Sequence, residues 1–138
     1  MEPTSREEFI AAIKGALAPV FEKMADKIVA AYLFGSIANG RIGPASDIDI
    51  AVLLTGVGRE GGGEIRASLY ADFCRNLKRN DVDVVILNSA RNLFLKDEVV
   101  RHGVLLYDRD PGYRQEFEVR VMHEFIDFRD HRKTVLGV

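Results

Sequence analysis

Cysteine is almost absent from this chain. The single Cys74 excludes an internal disulfide and any cysteine-based zinc cluster, and it fits a reducing compartment. A surplus of basic residues is also missing: 19 Lys plus Arg stand against 21 Asp plus Glu, for a formal net charge of -2. General nucleic-acid binding rests on excess cations at phosphates, so this balance argues against a protein that coats polyanions. Long apolar runs are lacking too. The most apolar stretch, Ile28 to Gly35, is far too short to span a bilayer. Met1 to Glu8 is polar and charged, without the apolar core of a secretory signal. No repeat, low-complexity tract or interdomain linker interrupts the 138 residues, a length that suits one domain over 1–138. A chain of this size buries about two-thirds of its unfolded surface and folds without staples. A soluble, cytoplasmic single-domain protein is expected.

What is present reads as alternating helices and strands. Ser5-Arg6-Glu7-Glu8 has the spacing of a capping box, and Phe9, Ile10, Ile13 and Leu17 follow at helical spacing. Pro19 is expected to kink or restart that helix before Phe21 and Met24. Ile28 to Phe34 and Ile48 to Leu54 read as buried strands. Between Thr55 and Gly63, five glycines in nine residues mark the most flexible loop. Glu64 to Arg79 is expected to be helical, burying Ile65, Leu69, Phe73 and Leu77. Val82 to Leu87, rich in β-branched residues, is a third strand. Ser89 or Asn92 can cap a helix to Arg101 that stops at Gly103, and Val104 to Tyr107 is a short fourth strand. Asp110-Pro111 opens a last helix with Tyr113, Phe117, Val121, Phe125 and Phe128 along one face. This order predicts a small α/β domain, a sheet flanked by helices.

The informative segment runs from Gly35-Ser36 to Asp47-Ile48-Asp49. Gly35 lets a backbone approach closely, and Ser36 adds a hydroxyl beside amides at the start of a turn, a combination suited to phosphate oxygens. Asp47 and Asp49 are two apart on a strand, so both carboxylates leave the same face. Two acids that close repel unless a cation compensates, and all-oxygen ligands of this kind suit Mg²⁺ with substrate phosphates. Asp83, opening the third strand, completes a three-carboxylate set if that strand lies beside the second. Such a set belongs to two-metal phosphoryl or nucleotidyl transfer. A chance match to the four fixed positions is on the order of one in a thousand for this length.

On these residues the sequence resembles the DNA polymerase β type of nucleotidyltransferase, and more closely the minimal nucleotidyltransferase (MNT) family. The signature of Gly-Ser, ten residues, Asp-x-Asp and a later Asp is met by Gly35, Ser36, Asp47, Asp49 and Asp83. The stretch Gly103 to Asp110, Phe117-Glu118 and Phe125 to Phe128 is similar to the tail of MNT-domain antitoxins. The resemblance implies a polymerase β-like core, a mixed sheet of three or four strands flanked by helices. It implies an antitoxin that transfers AMP from ATP onto a tyrosine of a partner HEPN-domain ribonuclease toxin, with which it forms a hetero-oligomer. By position, Asp47 and Asp49 would hold Mg²⁺ (two ions in all) and the triphosphate. Asp83 would ligand the catalytic metal and help deprotonate the attacking hydroxyl, and Gly35 and Ser36 would grip the β- and γ-phosphates. The family often carries Arg or Lys four residues after the glycine, where this chain has Asn39; Arg41 is the replacement cation. Nucleotidyltransferases acting on small molecules or RNA usually carry an extra substrate domain, and essentially one helix follows the last strand here. That favours a protein acceptor.

Other readings compete. Asn39 keeps open a binding-type antitoxin that neutralises without chemistry, and an aminoglycoside-type small-molecule nucleotidyltransferase is a third possibility. Gly56-Val-Gly58-Arg-Glu-Gly61 with Asp81 matches much of a dinucleotide fingerprint. In that fingerprint the acid closes the second strand, whereas Asp81 precedes a strand, and Gly61 to Gly63 makes a poor first helical turn. His102, His123 and His131 lack metal-ligand spacing. His102 is expected at a helix C-terminus, Cys74 in the core, Tyr107 and Tyr113 in packing, and Arg129 to Lys133 on a solvated helix end.

Overall fold

The computed structural model describes residues 5–35, 47–56 and 62–136. In chain order these form α1 (Arg6–Lys23), β1 (Ile28–Phe34), β2 (Ile48–Leu54), α2 (Gly63–Leu77), β3 (Val82–Ile86), α3 (Leu93–His102), β4 (Val104–Asp108) and α4 (Pro111–Leu136). The four strands make one mixed sheet in the order β3-β2-β1-β4. β1 is antiparallel to both β2 and β4, while β2 and β3 run parallel, joined by α2 as the crossover helix. The expected mixed sheet flanked by helices is what forms.

Alternation along the strands divides the interior into two layers. Ile48, Ile50, Val52 and Leu54 of β2 and Val82, Val84 and Ile86 of β3 pack with Ile13, Leu17 and Phe21 of α1 and Leu69 and Phe73 of α2. Ala51 and Leu53 face the other way, towards Val99 of α3 and Phe117 and Val121 of α4. All seven residues of β1 are buried, because the central strand has a helical layer on each side. Asp49 and Asp83 share the alternation of Leu53 and Leu87, which places both acids on the α3/α4 side.

Local signals explain most element ends. The Ser5 hydroxyl accepts from the Glu8 amide at 3.1 Å, and the Asp110 carboxylate accepts from the Tyr113 amide at 3.1 Å. Asn92, rather than Ser89, caps α3, accepting from the Leu95 amide at 3.2 Å. α2 ends two residues earlier than expected, where Lys78 adopts the left-handed conformation (φ 56°). That turn lets the Arg79 side chain reach Asp81.

Pro19 does not break the first helix, which continues to Lys23. The proline cannot donate to the Gly15 carbonyl, but both residues lie on the exposed side, where water can take that bond. Val20 and Phe21 are almost completely buried, and their packing holds the next turn. The expected apolar face of α4 forms, and its last two rings, Phe125 and Phe128, both pack on Phe94 of α3. Phe117 and Val121 are buried, whereas Phe128 projects beyond the sheet with 39 % of its surface exposed.

Beyond β3, Asn88 stands in for a strand partner. Its side-chain oxygen accepts from the Leu54 amide at 2.8 Å and its amide donates to the Leu54 carbonyl at 2.7 Å. Asn88→Ala leaves both backbone groups without that pairing and should cost about 1–3 kcal/mol of unfolding free energy, read from urea denaturation with an unchanged m value. A cost below about 0.5 kcal/mol would show that water replaces the side chain freely.

Candidate active site

The parallel register places Asp49 directly opposite Asp83. Both acids lie at the N-terminal ends of their strands, on one face, and Asp47, just before β2, is near enough for its charge to act on Asp49. Antiparallel pairing brings Phe34, the last residue of β1, opposite Asp49, so Gly35 arrives beside the same carboxylate. Gly35 has φ +81°, and a Cβ there would collide with Asp49 Oδ2. Only glycine meets both demands, positive φ and close approach.

The Asp49 carboxyl is pushed above its ordinary range, first by burial and then by the charges of Asp83 and Asp47. Asp83 is more open, with 59 % of its side chain exposed. Like charges have no reason to converge without a cation, and among the described residues no three His, Cys, Asp or Glu side chains are gathered into a metal-holding group. The donor set nonetheless fits a hard divalent cation. It is all carboxylate, burial and the charges of Asp83 and Asp47 raise the proton affinity of Asp49, and Gly35 leaves open the space at Asp49 that a side chain would fill. Ser36, Asn39 and Arg41 lie outside the described residues, as do Gly58 and Gly61 of the glycine-rich loop.

Two arginines border the acids. Arg66 of α2 donates from Nε to the Val84 carbonyl at 2.8 Å, and its Nη2 stands 3.8 Å from Asp83 Oδ1. It lines a cleft of about 380 Å³ together with Asp83, Ser89 and Ala90. Sequence reasoning did not single out Arg66, since the β3 backbone that anchors it is 18 residues away. Arg79 Nε donates to Asp81 Oδ1 at 2.7 Å, and this pairing holds the Asp81 carboxyl below its usual range. Asp81 thus braces the entrance of β3, and its carbonyl accepts from the Ile48 amide at 3.0 Å. The acid of the apparent dinucleotide fingerprint is a structural residue. His102 lies in the last turn of α3, Cys74 is packed against the core, and Tyr107 stacks on Phe21 at 5.1 Å.

A mixed sheet that brings acids from two parallel strands against a glycine at the end of a third defines a nucleotidyltransferase. The family described as "Polymerase beta, Nucleotidyltransferase" matches residues 16–112, and the chain belongs to it. Solved structures of toxin–antitoxin systems share the fold. A toxin–antitoxin structure with AMP-PNP is 27% identical at a TM-score of 0.74, covering 90% of this chain and 95% of that one. A mutant of the toxin–antitoxin MntA-HpeT is 25% identical at a TM-score of 0.73, again covering 90% and 95%. The toxin–antitoxin MntA-HepT, at 24% identity and a TM-score of 0.69, covers 92% and 96% and supports the fold. No curated protein matches the chain. The resemblance to minimal nucleotidyltransferases read from Gly35, Ser36, Asp47, Asp49 and Asp83 is thereby borne out. Among the described residues, no helix is long and apolar enough to cross a membrane.

Gly35→Ala forces the Asp49 carboxylate or the β1 end to move. A displacement of this order should lower nucleotidyl transfer by about a hundredfold. Circular dichroism should show the helices retained, and unchanged transfer would mean that the approach is not required.

Proposed function

We propose that the protein is an antitoxin that transfers AMP from ATP to a tyrosine of a partner HEPN-domain ribonuclease toxin and so silences it. The observation that carries this reading is the register of Asp49 and Asp83 beside Gly35. The similarity to a toxin–antitoxin structure holding AMP-PNP supports it. In this reading 1–138 is one catalytic domain that works in the cytoplasm as a hetero-oligomer with the toxin.

Asp47, Asp49 and Asp83 are the residues that would hold Mg²⁺, which supplies charge neutralisation at the phosphates. Gly35 and Ser36 seat the β- and γ-phosphates, and Arg41 adds a cation. Asp83 receives the hydrogen bond of the acceptor hydroxyl as its proton leaves. The phenolic oxygen forms a bond to the α-phosphorus, the bond from that phosphorus to the bridging oxygen breaks, and pyrophosphate departs. The products are adenylyl-tyrosine and pyrophosphate. Little is asked of the protein beyond positioning and charge, as phosphoryl transfer in general requires.

The test is transfer of label from ATP carrying an α-phosphate label to the toxin. Labelling should require Mg²⁺, stop with EDTA, and fall by at least about a hundredfold in Asp47→Asn with Asp49→Asn. Mass spectrometry should place one or more AMP groups on tyrosine. Neutralisation of the toxin by the double variant as fully as by the wild type would favour the binding-type antitoxin. Label on an aminoglycoside rather than on protein would favour the small-molecule enzyme.

A further inference from the structure

A second, larger cleft of about 700 Å³ lies between α3 and α4 on the same side of the sheet as Asp49 and Asp83. Leu53 and Leu87, at the far ends of β2 and β3, lie beneath it almost completely buried, and most of its lining is polar. Its rim is basic. Arg91 and Lys96 approach from the α3 side and Arg120 from α4, against one acid, Glu124, which pairs with Lys96 at 3.4 Å. Among the described residues neither Arg91 nor Arg120 is in an ion pair. Surplus positive charge at this spot contrasts with the net negative charge of the whole chain.

The cleft is not isolated. Ser89 and Ala90 line both it and the smaller cleft that contains Asp83 and Arg66, so the two clefts adjoin at a neck of small side chains. Leu53 and Leu87 stand four residues along their strands from Asp49 and Asp83, about 13 Å, the span of about four residues of extended peptide. The lateral order of the strands adds a direction. Gly35 closes β1, Asp49 lies on β2 and Asp83 on the outermost strand, β3. An in-line displacement has its leaving group and its nucleophile on opposite sides of the phosphorus. With pyrophosphate on the Gly35 side, the nucleophile enters from the Asp83 side, where the clefts join.

We infer that the α3/α4 cleft is the docking groove for an extended, acidic polypeptide segment whose acceptor hydroxyl reaches Asp83 through the Ser89–Ala90 neck. This rests on the transfer reading above and names the chemistry of its acceptor. Acidic side chains meet Arg91 and Arg120. The α4 wall of the groove, from Tyr113 to Glu124, lies beyond the residues matched by the nucleotidyltransferase family. Acceptor choice can therefore vary on α4 while the phosphate chemistry stays on the sheet.

The test uses two fluorescent peptides, each with one tyrosine flanked on both sides by three glutamates or by three lysines. With Mg²⁺ and AMP-PNP present, fluorescence anisotropy should give the acidic peptide an affinity at least about tenfold above the basic one, within the range that complementary charge commonly supplies. Arg91→Glu with Arg120→Glu should erase that preference and leave AMP-PNP affinity within about twofold of wild type. The milder pair Arg91→Gln with Arg120→Gln should fall between, which separates loss of charge from loss of fold. Equal affinity for the two peptides, or an unchanged preference in folded variants, overturns the inference. A loss of AMP-PNP affinity in place of peptide affinity also overturns it, by giving the groove to the nucleotide. Failure of the transfer reading looks different: the acidic peptide binds through the two arginines, yet ATP leaves no AMP on its tyrosine.

Discussion

The backbone of Gly35 approaches the Asp49 carboxylate more closely than any side chain at position 35 would permit. Strand pairing and the proposed seats for phosphate and metal all meet at this contact. It exists because β1 and β2 pair antiparallel with Phe34 opposite Asp49, while β2 and β3 pair parallel with Asp49 opposite Asp83. A one-residue slip in either pairing would send an acid to the α1/α2 side, into the apolar layer of Ile48, Ile50 and Val82. The burial that specifies the register therefore also specifies the site. Core and chemistry are set by the same alternation.

The two faces of the sheet do different work. Towards α1 and α2 the layer is closed by large apolar groups, with Phe21 and Phe73 edge to face at 5.9 Å. Asn76 adds a tie from α2 to the Ala16 carbonyl at 3.0 Å. Towards α3 and α4 the cover is partial. Val99, Phe117 and Val121 close the middle, and Tyr32, central in β1, donates to Glu118 at 2.8 Å. Glu118 also receives Arg114, which reaches Asp108 at the end of β4. Burial and the charge of Glu118 raise the Tyr32 hydroxyl well above its ordinary range, so it remains a neutral donor. This polar tie anchors the first turns of α4 and leaves the strand starts open.

Much of this was legible in the sequence because the signals were local. Ser5 and Asp110 are caps whose partners lie three residues away. The strands announce themselves as short apolar runs, and the Gly-Ser to Asp-x-Asp spacing carries its chemistry on adjacent residues. Features decided by distant packing were not legible. Pro19 carried a correct local warning that burial of Val20 and Phe21 outweighed. The apolar spacing of α4 runs on to Phe128, but the sheet ends before that turn, and no spacing rule reports where a partner surface stops. Arg66 has no distinguishing neighbours in sequence. Its role comes from the parallel crossover that sets α2 against the outer strand.

A net charge of -2 conceals an arrangement that the fold makes directional. Acids collect at the starts of β2 and β3, where three strands converge. A triphosphate placed there, as proposed, would repel them unless cations lay between. Arg91, Lys96 and Arg120 gather around the cleft above Leu53 and Leu87, which lie about 13 Å further along the same face, beyond the Debye length of about 8 Å at physiological salt. Between the two lies a neck lined by the uncharged Ser89 and Ala90. An acidic segment drawn to the basic end meets rising repulsion as it nears Asp49 and Asp83. In the proposed reading it advances only once cations offset those acids. Charge order along one sheet face then makes cation loading precede acceptor entry, with no moving part required.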